Sequence, residues 1–120
     1  MENLNRKSMN LVNDYPEKVL MFGEGNFLRA FACFIIDKLN HKGYGGSVVA
    51  LQGIEKGLCD IINAQEGLYT VIERGMEKGN VTERLNLISC LKRCVNPYTD
   101  YDAYLSMAEN PDLQVVISNT

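Results

Sequence analysis

The stretch KVLMFGEGNFLRAFACFIIDKLN, from Lys18 to Asn40, sets two glycines one residue apart between a short apolar run and a longer periodic one. The run Val19-Leu20-Met21-Phe22 is rich in strand formers and predicts a core strand. From Phe27, apolar side chains recur at Leu28, Phe31, Phe34, Ile35 and Leu39, close to the 3.6-residue period, with Arg29, Asp37 and Lys38 left mainly for the other side. That pattern predicts one amphipathic helix, ending where Gly43, Gly45 and Gly46 supply C-cap and turn conformations. SVVALQ, residues 47–52, follows as a second strand whose unbroken apolar run suits a parallel sheet covered on both faces. Lys18 to Gln52 therefore reads as strand, helix, strand, the length of one crossover unit.

Composition bounds what such a unit can serve. The 120 residues give room for one domain with a modest core, and a hydrophobic content of 46% fits a globular chain. A net charge of -3 supplies no field toward phosphate backbones or anionic lipid, so neither nucleic acid nor a membrane is expected as partner. No apolar run approaches the roughly 18 residues of a membrane span. The opening MENLNRKSMN lacks a signal-peptide core, so the expected location is the cytoplasm. Cys33 and Cys59 lie within apolar segments, which favours buried thiols over disulfides. Cys90 and Cys94 are spaced to share a helix face, but no second close pair or histidine completes a tetrahedral site, and no metal is expected.

Outside the crossover unit, turns mark the organisation. Residues 1–17 form a polar segment ending at DYPEK, and Pro16 argues against a helix running into the first strand. GLYTVIERG, the turn around MEKGN, and VTERLNLISCLKRCV resemble an antiparallel pair. NPYTDYDAYLSMAENPD holds a short helix started near Thr99 or Asp100 and stopped before Pro111. LQVVISNT is a further candidate central strand. The fold class is α/β, a mostly parallel sheet with an antiparallel β-hairpin insertion. A Val-Val-Ile strand so close to Thr120 leaves its carboxyl edge without a covering helix, which reads as a domain cut short, with self-association through the exposed edge as one consequence.

The glycine turn has a nucleotide-binding reading with a mechanism. Gly23 permits a tight turn off the strand, Gly25 removes the side chain that would hold a pyrophosphate away from backbone N–H groups, and Phe27 and Leu28 open the helix whose positive end receives the charge. The pattern is incomplete, since Leu28 stands where a third glycine would fall. The acid expected at the end of the second strand is also missing; Gln52 holds that edge, with Glu55 three residues beyond. Gln52 can bond a ribose hydroxyl but lacks the charge that repels a 2'-phosphate, so the choice between NAD and NADP stays open on these residues. Glu24 is expected to point away from any pyrophosphate. A bare strand-to-helix turn is the competing reading.

MFGEGNFLRAFACFIIDKLN, NAQEGLYTVIERG, ISCLKRCVNPYTDYDAYLSMAENPDL and VVISNT together resemble the opening of the mannitol dehydrogenase family of long-chain polyol and sugar-acid dehydrogenases. The likeness runs from Tyr15 onward. It implies the N-terminal part of a Rossmann-like NAD-binding domain over residues 18–120. It also implies an NAD-linked hydride transfer on a small-molecule sugar acid, with tagaturonate and altronate as the keto and hydroxy pair; fructuronate or mannitol chemistry, or a noncatalytic nucleotide- or partner-binding module, are the alternatives. By residue match, Gly23, Gly25, Asn26 and Phe27 line the pyrophosphate turn, with Leu28 at the helix start and Arg29 as a structural or cofactor-side residue. Gln52 lies near the adenosine ribose, and Ser118, Asn119 and Thr120 approach from a later strand. Family members are several times longer, and a helical substrate domain supplies their catalytic lysine, asparagine and histidine. Nothing here matches those groups, so no catalytic residue is assigned and the chain alone is expected to be inactive.

Other candidates have plainer explanations. His41 sits at a helix exit. A nucleophile pair of Cys33 and His41 is improbable on an apolar face. Asp100, Asp102 and Glu109 resemble capping and solvated charges, and Tyr98, Tyr101 and Tyr104, spaced by three, read as a packing stripe on one helix face or a seam left exposed.

Overall fold

The computed structural model describes residues 4–11 and 14–119. Strand β1 (Glu17–Phe22) leads through the glycine turn into helices α1 (Asn26–Ala30) and α2 (Ala32–His41), and then into β2 (Ser47–Leu51). Helix α3 (Cys59–Ala64) precedes a hairpin of β3 (Tyr69–Glu77) and β4 (Asn80–Ile88). The chain continues through β5 (Leu91–Val95), helix α4 (Tyr101–Ser106) with a 3-10 turn at Met107–Glu109, and β6 (Val115–Ser118). Four strands make a parallel sheet in the order β5-β2-β1-β6, with Leu20 opposite both Val49 and Val116.

The apolar runs form the centre of this sheet because both of their faces are covered. Val19, Met21, Val48 and Ala50 pack with Leu28, Cys33 and Ile36 on one side, while Leu20, Val49 and Leu51 pack with Val95 and Met107 on the other. All five residues of β2 are buried, as a parallel strand between two layers requires. The hairpin is a separate antiparallel sheet turned by Lys78 and Gly79, both at positive φ (53° and 80°), the geometry of a two-residue turn between twisted strands.

Several expectations change here. The amphipathic helix is two helices, with Phe31 at φ -107° and ψ -67° between them. The bonds from Phe31 N to Phe27 O and from Ile35 N to Phe31 O carry the helical path through, so the irregularity is local. Residues 91–95 leave the hairpin and join the parallel sheet beside β2. The switch is made by Asp37, which is buried rather than solvent-facing and accepts bonds from the amide and hydroxyl of Ser89 at 3.0 and 3.3 Å, while Val48 N donates to Cys90 O at 2.8 Å. β6 is an edge strand among the described residues, not a central one, and Val115 and Val116 are exposed.

The cysteine expectation also divides. Cys33 and Cys90 are buried thiols, but Cys59 and Cys94 form a disulfide between α3 and β5. Asn63 is the reason they meet: its amide brackets Cys94, accepting from Cys94 N at 2.9 Å and donating to Cys94 O at 2.8 Å. Cys59, one helical turn earlier on the same face, is thereby laid against Cys94. Cys94 lies on a strand and Cys90 just before it, so they share no helix face.

Candidate functional site

The carboxyl ends of the parallel strands open onto a cavity of about 590 Å³. Phe22 to Gly25 line it from the β1 turn, Leu51 to Ile54 from the end of β2, and Asn119 from beyond β6. Pro97, Tyr98, Tyr101 and Tyr104 close the remaining side. The edge of an open parallel sheet where strands hand over to helices is the place where such folds hold ligands.

The two glycines do different work in this turn. Gly23 has φ 125°, donates to Leu51 O at 2.8 Å, and stands so close to Leu28 that a Cβ would lie 3.0 Å from its Cδ1. Its need is conformational and steric. Gly25 has φ -72°, open to any residue, and a Cβ there would meet nothing within 4 Å. Its need is for open space above the turn. Gly25 is also the N-cap of α1 and no side chain caps that end, so the first-turn amides of Asn26 and Phe27 face outward without a side-chain partner. Leu28, where a third glycine would fall, is instead buried as a wedge between turn and sheet.

Arg29 sits behind the turn and not in the cavity. Its Nε donates to Glu24 O at 2.9 Å and its second guanidinium nitrogen to Asn26 Oδ1 at 2.8 Å, so it fixes the loop from its own side. The Tyr69 hydroxyl donates to Arg29 O at 2.7 Å, and burial pushes that phenol above its ordinary range, keeping it a neutral donor. Of the two roles left open for Arg29, the structural one fits these bonds.

Gln52 lines the cavity but is bonded within its own loop. It is 4% exposed, and its Nε2 donates to Ile54 O at 2.8 Å and Glu55 O at 3.1 Å, while Oε1 accepts from Cys59 N at 3.0 Å. The amide ties the β2–α3 loop to the helix start, with both Nε2 hydrogens donated and Oε1 accepting once. Glu24 is buried and turned toward the end of β2, with Oε2 accepting from Gly53 N at 3.3 Å. Asn119 lies at the cavity as expected, Ser118 ends β6 opposite Phe22, and Thr120 lies outside the described residues.

Sequence reading missed the aromatic wall. Tyr98 and Tyr101 are more than half exposed and face the cavity, while Tyr104 lines it and also packs against the core cluster of Leu20, Val49 and Met107. Their spacing by three was the available signal, but period alone does not say whether a stripe meets a sheet or a cleft. The Tyr98 hydroxyl donates to Gly53 O at 3.3 Å, which joins this wall to the β2 loop.

Residues 17–119 match the family model described as the mannitol dehydrogenase Rossmann domain. The chain belongs to the mannitol dehydrogenase family. Among its relatives are the altronate oxidoreductases of Bacteroides thetaiotaomicron and Phocaeicola vulgatus, each 47% identical over 106 residues, covering 88% of this chain and 22% of theirs. That of Escherichia coli is 42% identical over 122 residues, covering 100% of this chain and 25% of its own. The chain thus spans about a quarter of the length of the curated relatives it matches.

Solved structures agree on the architecture of this mannitol dehydrogenase family domain. The ternary complex of Pseudomonas fluorescens mannitol 2-dehydrogenase with NAD and D-mannitol superposes with a TM-score of 0.81 at 16% identity, over 98% of this chain and 26% of that one. A substrate-free D-sorbitol dehydrogenase gives 0.75 at 18% identity, over 97% and 26%. At such identities the likeness concerns the fold. Among the described residues, no helix is long and apolar enough to cross a membrane.

Proposed function

We propose that this domain binds NAD in the cavity at the sheet edge and belongs to an oxidoreductase that interconverts tagaturonate and altronate. The observation that carries the cofactor half is the open turn at Gly25, where a Cβ would occupy otherwise empty space beside uncapped helix amides and a cavity of about 590 Å³. Gly23, Gly25, Asn26, Phe27 and Leu28 form the pyrophosphate turn in this reading, and Asn119 lies toward the nicotinamide. Gln52 acts at one remove, by holding the loop beside the ribose. The altronate oxidoreductase relatives support the substrate pair.

NAD, when bound, supplies the hydride acceptor or donor for the carbinol or keto carbon of the sugar acid. This chain's residues bind and orient it; the substrate contacts and the proton transfer belong to further residues of the longer enzyme, so the domain alone turns over no substrate. The reading carries with it a cytoplasmic location, where NAD is held.

Two measurements test this proposal. Calorimetric titration of NADH into the folded chain is expected to give saturable binding, and heat-silent titration would contradict the cofactor site. The full-length parent is expected to oxidise NADH with tagaturonate in preference to fructuronate or fructose; a preference for either of those would replace the substrate assignment while leaving the cofactor site standing.

A further inference from the structure

We infer that Glu24, arriving from the glycine turn, receives the adenosine ribose hydroxyls and sets a preference for NAD over NADP. The inference rests on the cofactor reading above. In dinucleotide folds an acid at the end of the second strand accepts from the ribose 2'-hydroxyl and repels a 2'-phosphate. Here that position is Gln52, and its amide is committed to Ile54, Glu55 and Cys59. It carries no charge, and to donate to a ribose oxygen its Nε2 would have to release the β2–α3 loop.

A carboxylate nevertheless stands at the same edge. Glu24 Oε2 accepts from the amide of Gly53, the residue after Gln52, so the side chain spans from the β1 turn to the end of β2. Glu24 and Gly53 both line the cavity. Oε1 accepts no hydrogen bond among the described residues, and because no fully enclosed side-chain polar atom is left without a partner there, it retains some exposure beside Gly57. Gly57 makes room for it, since a Cβ there would come within 2.8 Å of Oε1.

The electrostatics of this placement are one-sided. A ribose diol can donate to a carboxylate acceptor, a charge-assisted bond. A 2'-phosphate would bring a second negative charge to the same place, and no lysine or arginine is among the residues lining the cavity to offset it. Directed across to β2, the carboxylate also lies off the helix amides that the pyrophosphate needs. The ribose-reading acid has in effect moved from the second strand to the first turn.

The test is calorimetric titration of NADH and of NADPH into the chain and into Glu24→Gln, with folding followed by circular dichroism. Glu24→Gln keeps the shape and an acceptor for Gly53 N but removes the charge, so the ratio of NADPH to NADH dissociation constants is expected to fall at least tenfold. Glu24→Asp, which keeps the charge, is expected to retain most of the preference and serves if the glutamine variant does not fold. A ratio unchanged within twofold in Glu24→Gln, or lost equally in Glu24→Asp, overturns the inference and leaves the NAD site intact. A folded unsubstituted chain that binds neither nucleotide overturns the site reading and this inference with it.

Discussion

Two strand-to-helix connections leave the same sheet edge and are held by opposite means. The connection after β1 is three residues, 23–25, shaped by glycine backbone and held from behind by Arg29: Gly23 at φ 125° makes the turn, Gly25 leaves it open, and no side chain caps the helix it starts. The connection after β2 is seven residues, 52–58, built on one side chain, since the Gln52 amide makes three hydrogen bonds to the loop and to the start of α3. The first leaves amides and space for a ligand. The second spends its polar groups internally, and the proposed ribose acceptor at that end comes from its neighbour.

Breaking the second connection should cost more than breaking the first. Gln52→Ala removes three bonds from a nearly enclosed position and leaves two carbonyls and an amide without their partner. At about 1 kcal/mol per bond, a loss of about 3 kcal/mol is expected in urea unfolding, together with weaker NADH binding as the loop loosens. A midpoint close to that of the unsubstituted chain would mean that the loop is held by something other than Gln52. Gly23→Ala should cost less, about 2 kcal/mol, because an L side chain is strained at φ 125° and its Cβ presses on Leu28 Cδ1 at 3.0 Å. Thermal melting compared with the unsubstituted chain measures this, and an unchanged midpoint would remove the conformational role assigned to Gly23.

The contrast also explains how much was legible in the residues. The β1 turn could be read because glycine spacing and hydrophobic period are local properties, and the apolar run of β2 announced a strand buried on both faces. Gln52 could not be read, because its partners are chosen by the path of a loop that no pattern encodes. The end of the hairpin was hidden for a similar reason. Nothing in LNLISCLKRCV marks where the antiparallel strand stops, and the decision is made by Asp37, 52 residues before Ser89. The Cys59–Cys94 pairing depends in the same way on Asn63 clasping a distant strand. Tyr98, Tyr101 and Tyr104 showed their period but not their direction, and β6 showed its composition but not its pairing beside β1.

The smallest effect on stability is expected where the effect on function is largest. Gly25→Val puts a side chain where no atom lies within 4 Å and where φ is ordinary, so only the loss of a favourable N-cap residue is expected, about 1 kcal/mol of unfolding free energy. The same side chain would stand in the space above the uncapped amides. Titrating NADH into Gly25→Val beside the unsubstituted chain, with urea unfolding of both, therefore tests the account most directly. The expected result is binding in the unsubstituted chain, at least a tenfold loss in the variant, and a stability lower by about 1 kcal/mol. Equal NADH affinity in the two chains would contradict it and place the nucleotide, if bound at all, somewhere other than over the glycine turn.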